Sequence, residues 1–236
     1  MSRPLTVSRT QPEFAHPYEI LSPHCDLAIA SPKGGATVLD PVSVELFKND
    51  KVCVDFKNTK EALWMNTEKL EEFTGRAKEF DSIFVVGGFG RRFCFTYAAP
   101  LSLPFINEFL AMFDIVENSV SIQLIREFHY AGKIVTALCH GAASVLNVRL
   151  ADGSLLVEGK KVTGFSNQEE IDVDREKDMP FHLETALDKA SGGHYEKAAK
   201  AWDPHVTVDG KLLMGQNPAS ANPLAVELLK VLNGRA

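Results

Sequence analysis

The sequence predicts an α/β fold, a mostly parallel sheet with helices on both faces. Short apolar, β-branched runs end in turn residues, and stretches of helical spacing lie between them. One run, Ile134 to Leu138 (Ile-Val-Thr-Ala-Leu), is continuously apolar rather than alternating, the pattern of a strand buried on both faces. The 236 residues, 45% hydrophobic and 9% aromatic, suffice for a sizeable core. No repeat, low-complexity tract or Gly/Ser/Pro-rich linker divides the chain, so residues 1–236 are read as a single domain.

In chain order, Cys25 to Ala30, closed by Ser-Pro-Lys-Gly-Gly, reads as a short buried strand, and Ile83 to Val86 before Gly87-Gly88 reads the same way. Val116 to Tyr130 carries apolar residues at helical spacing and stops at Gly132. After the strand Ile134 to Leu138 come Cys139-His140-Gly141-Ala142-Ala143, whose small residues suit a helix packed tightly against the strand it leaves. Lys161 to Phe165 reads as a strand and Phe181 to Ala190 as a helix. Val206 to Met214 reads as a hairpin turned at Asp209-Gly210, and Ser220 to Leu232 as a final amphipathic helix.

Composition removes several classes of function. The 25 basic and 31 acidic residues leave a net charge of −6 with no block of one sign, which argues against a nucleic-acid partner. The longest uncharged stretch, Phe93 to Asn107, is broken by Pro100 and Pro104 and falls short of the roughly 20 residues that cross a bilayer, so no membrane span is read. The cysteines, Cys25, Cys53, Cys94 and Cys139, show no CxxC pair or zinc-type spacing, and no structural metal site is expected. The first residues hold no apolar signal-peptide core. Reduced thiols in a cytoplasmic compartment, with the nucleus also open, are the expectation.

One segment combines a nucleophile, a base and an activating geometry. If a helix begins at His140, the Cys139 sulfur sits beside unpaired N–H groups at its N-terminus, a setting that stabilises a thiolate. This is the logic of a nucleophile elbow with sulfur in place of oxygen. The plainer reading, Cys139 as a small core residue at a strand end, stands beside it.

Three segments in order, Ala-Leu-Cys139-His140-Gly141, Lys-Val-Thr-Gly164-Phe165-Ser-Asn-Gln-Glu-Glu170 and Met-Gly215-Gln216-Asn217-Pro218-Ala219-Ser220, resemble the ThiJ/PfpI superfamily. The chain looks closest to its branch of glutathione-independent glyoxalases (glyoxalase III) and heat-shock chaperones. The resemblance implies a flavodoxin-like, class I glutamine amidotransferase-like three-layer sandwich. It also implies a catalytic cysteine followed by histidine, with an acidic residue near the thiol. Glu13, in Pro12-Glu13-Phe14-Ala15-His16-Pro17-Tyr18, holds the acidic position, and a carboxyl beside a thiolate would share a proton with it or have its own pKa raised. Without the resemblance, Glu13 reads as an acid at a helix start. Glu170 holds the position that orients the histidine, with Glu169 adjacent as the alternative. The implied oxyanion donors are the backbone N–H groups of Gly88 and His140, although Gly87-Gly88 alone reads as a plain turn. Phe89 stands where the family often has histidine. His16, His129, His182, His194 and His205 are read as structural or surface residues, and Trp202-Asp203 as the start of a strand.

Two departures from the family pattern stand out. Only Met1 to Gln11 precede the acidic segment, so the usual first strand is expected to be missing or reduced to a few residues such as Leu5-Thr6-Val7. After Gly90 the chain carries an aromatic-rich insertion at about 91–111. The resemblance implies a cofactor-free conversion of methylglyoxal, or a similar small 2-oxoaldehyde, to D-lactate by a homodimer. The alternatives are a holdase chaperone using the insertion as apolar surface, a cysteine amidase or peptidase, and an inactive product of a disrupted gene model.

Overall fold

The computed structural model describes residues 4–7, 11–37, 39–88, 112 and 115–234. Chain order within them is β1 (Pro4–Val7), α1 (Gln11–Leu21), β2 (Ala28–Ser31), α2 (Pro41–Leu46), α3 (Lys51–Thr59), α4 (Ala62–Met65), β3 (Glu68–Lys69), β4 (Ser82–Val85), α5 (Ser119–Tyr130) and β5 (Ile134–Leu138). A 3-10 segment, Cys139–Val145, follows, and then α6 (Asn167–Asp172), α7 (Leu183–Ser191), β6 (Val206–Asp209), β7 (Leu212–Gly215) and α8 (Ala221–Leu232). The strands form one sheet in the order β3-β2-β1-β4-β5-β7-β6. Every pairing is parallel except β6 with β7.

Burial explains which runs became strands. β4, β5 and β7 are buried at every position, as central parallel strands should be, whereas β6 at one edge alternates and β3 at the other is exposed. Side-chain caps set several helix starts: Asn118 accepts from Ser121 N ahead of α5, and Ser166 forms a capping box with Glu169 ahead of α6.

Of the two expectations for the first strand, its absence is corrected and its reduction to a few residues around Leu5-Thr6-Val7 holds: Pro4–Val7 form β1, which lies in the middle of the sheet. Leu5 is paired with Ala28 of β2 on one side and with Ile83 of β4 on the other. Four residues suffice there because a strand with two parallel neighbours satisfies its backbone groups on both sides and closes two edges at once. The region about 91–111 and Phe89 lie outside the described residues.

The other departures are local. Lys161 to Phe165 is not a strand; only Val162 forms a bridge, to Tyr195, because β7 already occupies the edge beside β5. The hairpin pairs Asp209 with Leu212, so it turns at Gly210-Lys211, one residue beyond the expected place, and Gly210 takes the φ of +59° that such a turn requires.

Chain order runs outward from the centre in two directions, from β1 to β2 and from β4 to β5. Right-handed crossovers therefore put α1 and α5 on opposite faces. α8 packs beside α1, and α5 against β4 and β5. The reversal point lies between β1 and β4, the place in such a sheet where ligands characteristically bind outside the carboxyl ends of the strands. The chain leaves β1 for Glu13, β4 for Gly87 and β5 for Cys139 at that same end.

Candidate active site

Cys139 follows β5 directly and has φ +57°, in the left-handed region. For a residue with a side chain this costs on the order of 1–3 kcal/mol and persists only where packing enforces it. Two glycines supply that packing. A Cβ on Gly141 would lie 2.6 Å from the Val85 carbonyl oxygen, and one on Gly87 would lie 2.7 Å from His140 N. The end of β4 and the turn after β5 thus meet backbone to backbone. The turn continues as a 3-10 segment, buried throughout, and not as the α-helix expected from His140.

Glu13, in the first turn of α1, is completely buried and accepts a hydrogen bond from Gly87 N at 3.0 Å through Oε2. Burial pushes its pKa up to about 8; hydrogen bonds from Cys139 and Gly87 N work against the rise, and the charge of Asp40 adds to it. The Glu13 Oε1 atom has no hydrogen-bond partner among the described residues. Burial also raises the Cys139 thiol well above its ordinary value, followed by the charge of Glu13. The expected thiolate stabilised by a helix N-terminus is therefore corrected. The His140 N–H does favour the anion, but burial and the neighbouring carboxylate outweigh it, so the pair retains protons near neutral pH.

His140 is fully buried and connects the thiol to a second carboxylate. Its Nδ1 lies 3.5 Å from Cys139 Sγ, and its Nε2 pairs with Glu170 Oε1. The ring packs on Phe165 at 4.5 Å between centroids, and Phe165 meets Trp202 edge-on at 5.6 Å. Trp202 sits in a turn at φ +70° and not in the strand expected there; its indole N–H donates to Asp172.

The adjacent acids, indistinguishable by sequence, differ sharply in surroundings. Glu169 accepts from five donors: Ser166 N and Oγ, Trp202 N, Gln216 Nε2 and Asn217 Nδ2. It fastens α6 to the loop after β7, and Glu170, one residue on, faces His140. Sequence reasoning missed this anchoring role, though the Ser-x-x-Glu spacing of a capping box was a signal for it. Gly88 is buried and follows Gly87, the residue on which a Cβ would meet His140 N. Cys139, His140, Glu170 and Glu13 are thus brought together.

No family model matches the chain. It is 32% identical over 127 residues to the glutathione-independent glyoxalase HSP31 of Saccharomyces cerevisiae, covering 51% of this chain and 53% of that protein. The chain spans about half the length of the glyoxalase relatives that head the comparison. A glutamine amidotransferase-like class 1 domain-containing protein 1 of Bos taurus is 26% identical over 222 residues, covering 94% of this chain and 87% of that one. The crystal structure of glyoxalase III from Candida albicans superposes with a TM-score of 0.72 at 21% identity, covering 97% of this chain and 96% of that one, which establishes the fold as flavodoxin-like. Together with the sheet order and the turn at Cys139, these likenesses give the chain a flavodoxin-like fold and a similarity, over about half its length, to glutathione-independent glyoxalases.

Proposed function

We propose that the chain is a glutathione-independent glyoxalase that converts methylglyoxal, or a similar small 2-oxoaldehyde, to the 2-hydroxy acid, with D-lactate as the product from methylglyoxal. The observation that carries this reading is a buried thiol held between an imidazole 3.5 Å away and a carboxyl whose pKa is pushed up to about 8. That pairing offers a nucleophile and two proton carriers in one dry site.

The steps follow from those groups. His140 Nδ1 takes the Cys139 proton, with Glu170 balancing the imidazolium through Nε2. The sulfur adds to the aldehyde carbon, a C–S bond forms, and the carbonyl electron pair moves to oxygen, which is protonated to give a hemithioacetal. Glu13, neutral below about pH 8, can donate that proton. As the carboxylate it then accepts the C–H proton, giving an enediolate, and a proton returned to the neighbouring carbon yields a thioester. Backbone N–H groups of Gly88 and His140 stabilise the developing oxyanion. Water releases the hydroxy acid and restores the thiol. One carbon is oxidised as its neighbour is reduced, so the sum is aldehyde plus water to acid, with no external redox partner.

The test is covalent. Protein quenched early with methylglyoxal and digested should carry a lactoyl adduct on the peptide containing Cys139, and product formed in deuterated water should carry deuterium at its C2 carbon. Turnover without either signature would sink the mechanism. The proposed substrate is small, the proposed assembly is a homodimer and the proposed compartment is the cytoplasm. No helix among the described residues is long and apolar enough to cross a membrane.

A further inference from the structure

On the helix that carries Glu13, one turn further on, a second group of side chains converges. His16 of α1 has Nε2 2.8 Å from Asp50 Oδ2. Asp50 caps α3, accepting from Cys53 N at 3.2 Å through its other oxygen, Oδ1. The Cys53 side chain is fully buried, and its sulfur lies with the His16 and Asp50 donor atoms in a group in which all lie within 4.8 Å of one another.

We propose that His16, Asp50 and Cys53 form a binding site for a zinc-class divalent cation that ties α1 to the start of α3. One imidazole nitrogen, one carboxylate oxygen and one sulfur are the donor set a borderline-soft ion takes, whereas magnesium and calcium favour oxygen alone. Tetrahedral bonds of about 2.0–2.3 Å place donor atoms roughly 3.3–3.8 Å apart, so the group needs only small rotamer shifts to close on an ion.

Surrounding bonds already orient the ligands. The bond from Cys53 N holds Asp50 Oδ1 and leaves Oδ2 as the single ligating oxygen, and Gln11 Nε2 donates to Cys53 O at 2.6 Å, fixing the first turn of α3 from α1. His16 and Asp50 are partly exposed, with side-chain exposures of 17% and 28%, which gives an ion a path in from solvent and leaves a fourth position for water. The thiol is protonated in the metal-free protein: burial, then the negative charge of Asp50, push Cys53 up to about 12. An incoming cation would displace the thiol proton. The spacing Asp-x-x-Cys was visible in the sequence, but the histidine comes from another helix and no local pattern announces it.

The experiment is a cobalt(II) titration of metal-free full-length protein, read by absorption, with zinc added afterwards. A thiolate-to-cobalt charge-transfer band at one equivalent, bleached by zinc, is expected. The band should persist in Cys139→Ala and vanish in Cys53→Ser. His16→Gln, which alters a partly exposed ligand and spares the core, should weaken cobalt binding on the order of 100-fold. Zinc should raise the melting temperature of the wild type and not of His16→Gln. Absence of the band, or a band retained in Cys53→Ser, overturns the proposal. So does unchanged affinity in His16→Gln. None of these readouts depends on turnover, so they stand apart from the glyoxalase reading.

Discussion

Cys139 and Cys53 are both fully buried, and each lies beside a carboxylate that raises its pKa. By burial and charge alone the two thiols look alike. The difference lies in backbone and base. Cys53 sits within a regular helix start, capped by the same Asp50 that raises it, whereas Cys139 is at φ +57° with an imidazole nitrogen 3.5 Å from its sulfur. The carboxyls differ too: burial pushes Glu13 up to about 8, while partly exposed Asp50 stays below its ordinary value despite burial, because the Cys53 N–H and His16 outweigh it. A strained turn and a proton acceptor mark a thiol for covalent chemistry; a relaxed helix start with three convergent donors marks one for holding an ion.

Breaking the first site should have the largest effect. Cys139→Ala should lower turnover of methylglyoxal on the order of 10⁴-fold or more, while Cys25→Ala, remote from both groups, retains it in steady-state assays. Glu13→Gln should cost about 10³-fold. The sign of its pH effect follows from the raised pKa: the neutral acid exists below about pH 8, so wild-type kcat/KM falls as pH rises through that value, and the variant lacks this limb. Stability follows the same direction. The folded protein keeps a proton on Glu13 that the unfolded chain loses near 4.5, so this contribution is full below 4.5 and disappears as pH rises through about 8. Denaturant midpoints of Glu13→Gln should fall less over that window.

The neighbouring acids sharpen the comparison. Glu170→Gln should lower kcat about 10²-fold with an unchanged melting temperature, because it orients and balances His140. Glu169→Ala should instead cost about 3 kcal/mol of stability in urea titrations, since it strands buried donors from Ser166, Gln216 and Asn217. Equal effects of the two on stability would remove the distinction between anchor and orienting residue.

Much of this was legible in the sequence. Ile134–Leu138 is a strand with the predicted bounds because its apolar run is continuous, and the helix predicted from Val116 begins at Ser119 because Asn118 caps it there. The central β1 was hard to read because its pairing comes from backbone groups on both neighbours rather than from a hydrophobic run. Glu169 and Glu170 could not be separated, since only the direction in which a short helix meets the loop after β7 decides which one faces His140. The direction of the Cys139 shift was misread for a related reason: a helix dipole can be inferred from local sequence, but full burial and a carboxyl from another helix cannot.

The central claim is that Cys139 performs glyoxalase chemistry, and D-lactate yield tests it most directly. Purified protein and Cys139→Ala would be incubated with methylglyoxal, without glutathione or added metal, under identical conditions. The account predicts D-lactate from the first and none above background from the second. Equal yields from both, or none from well-folded wild type, would contradict it.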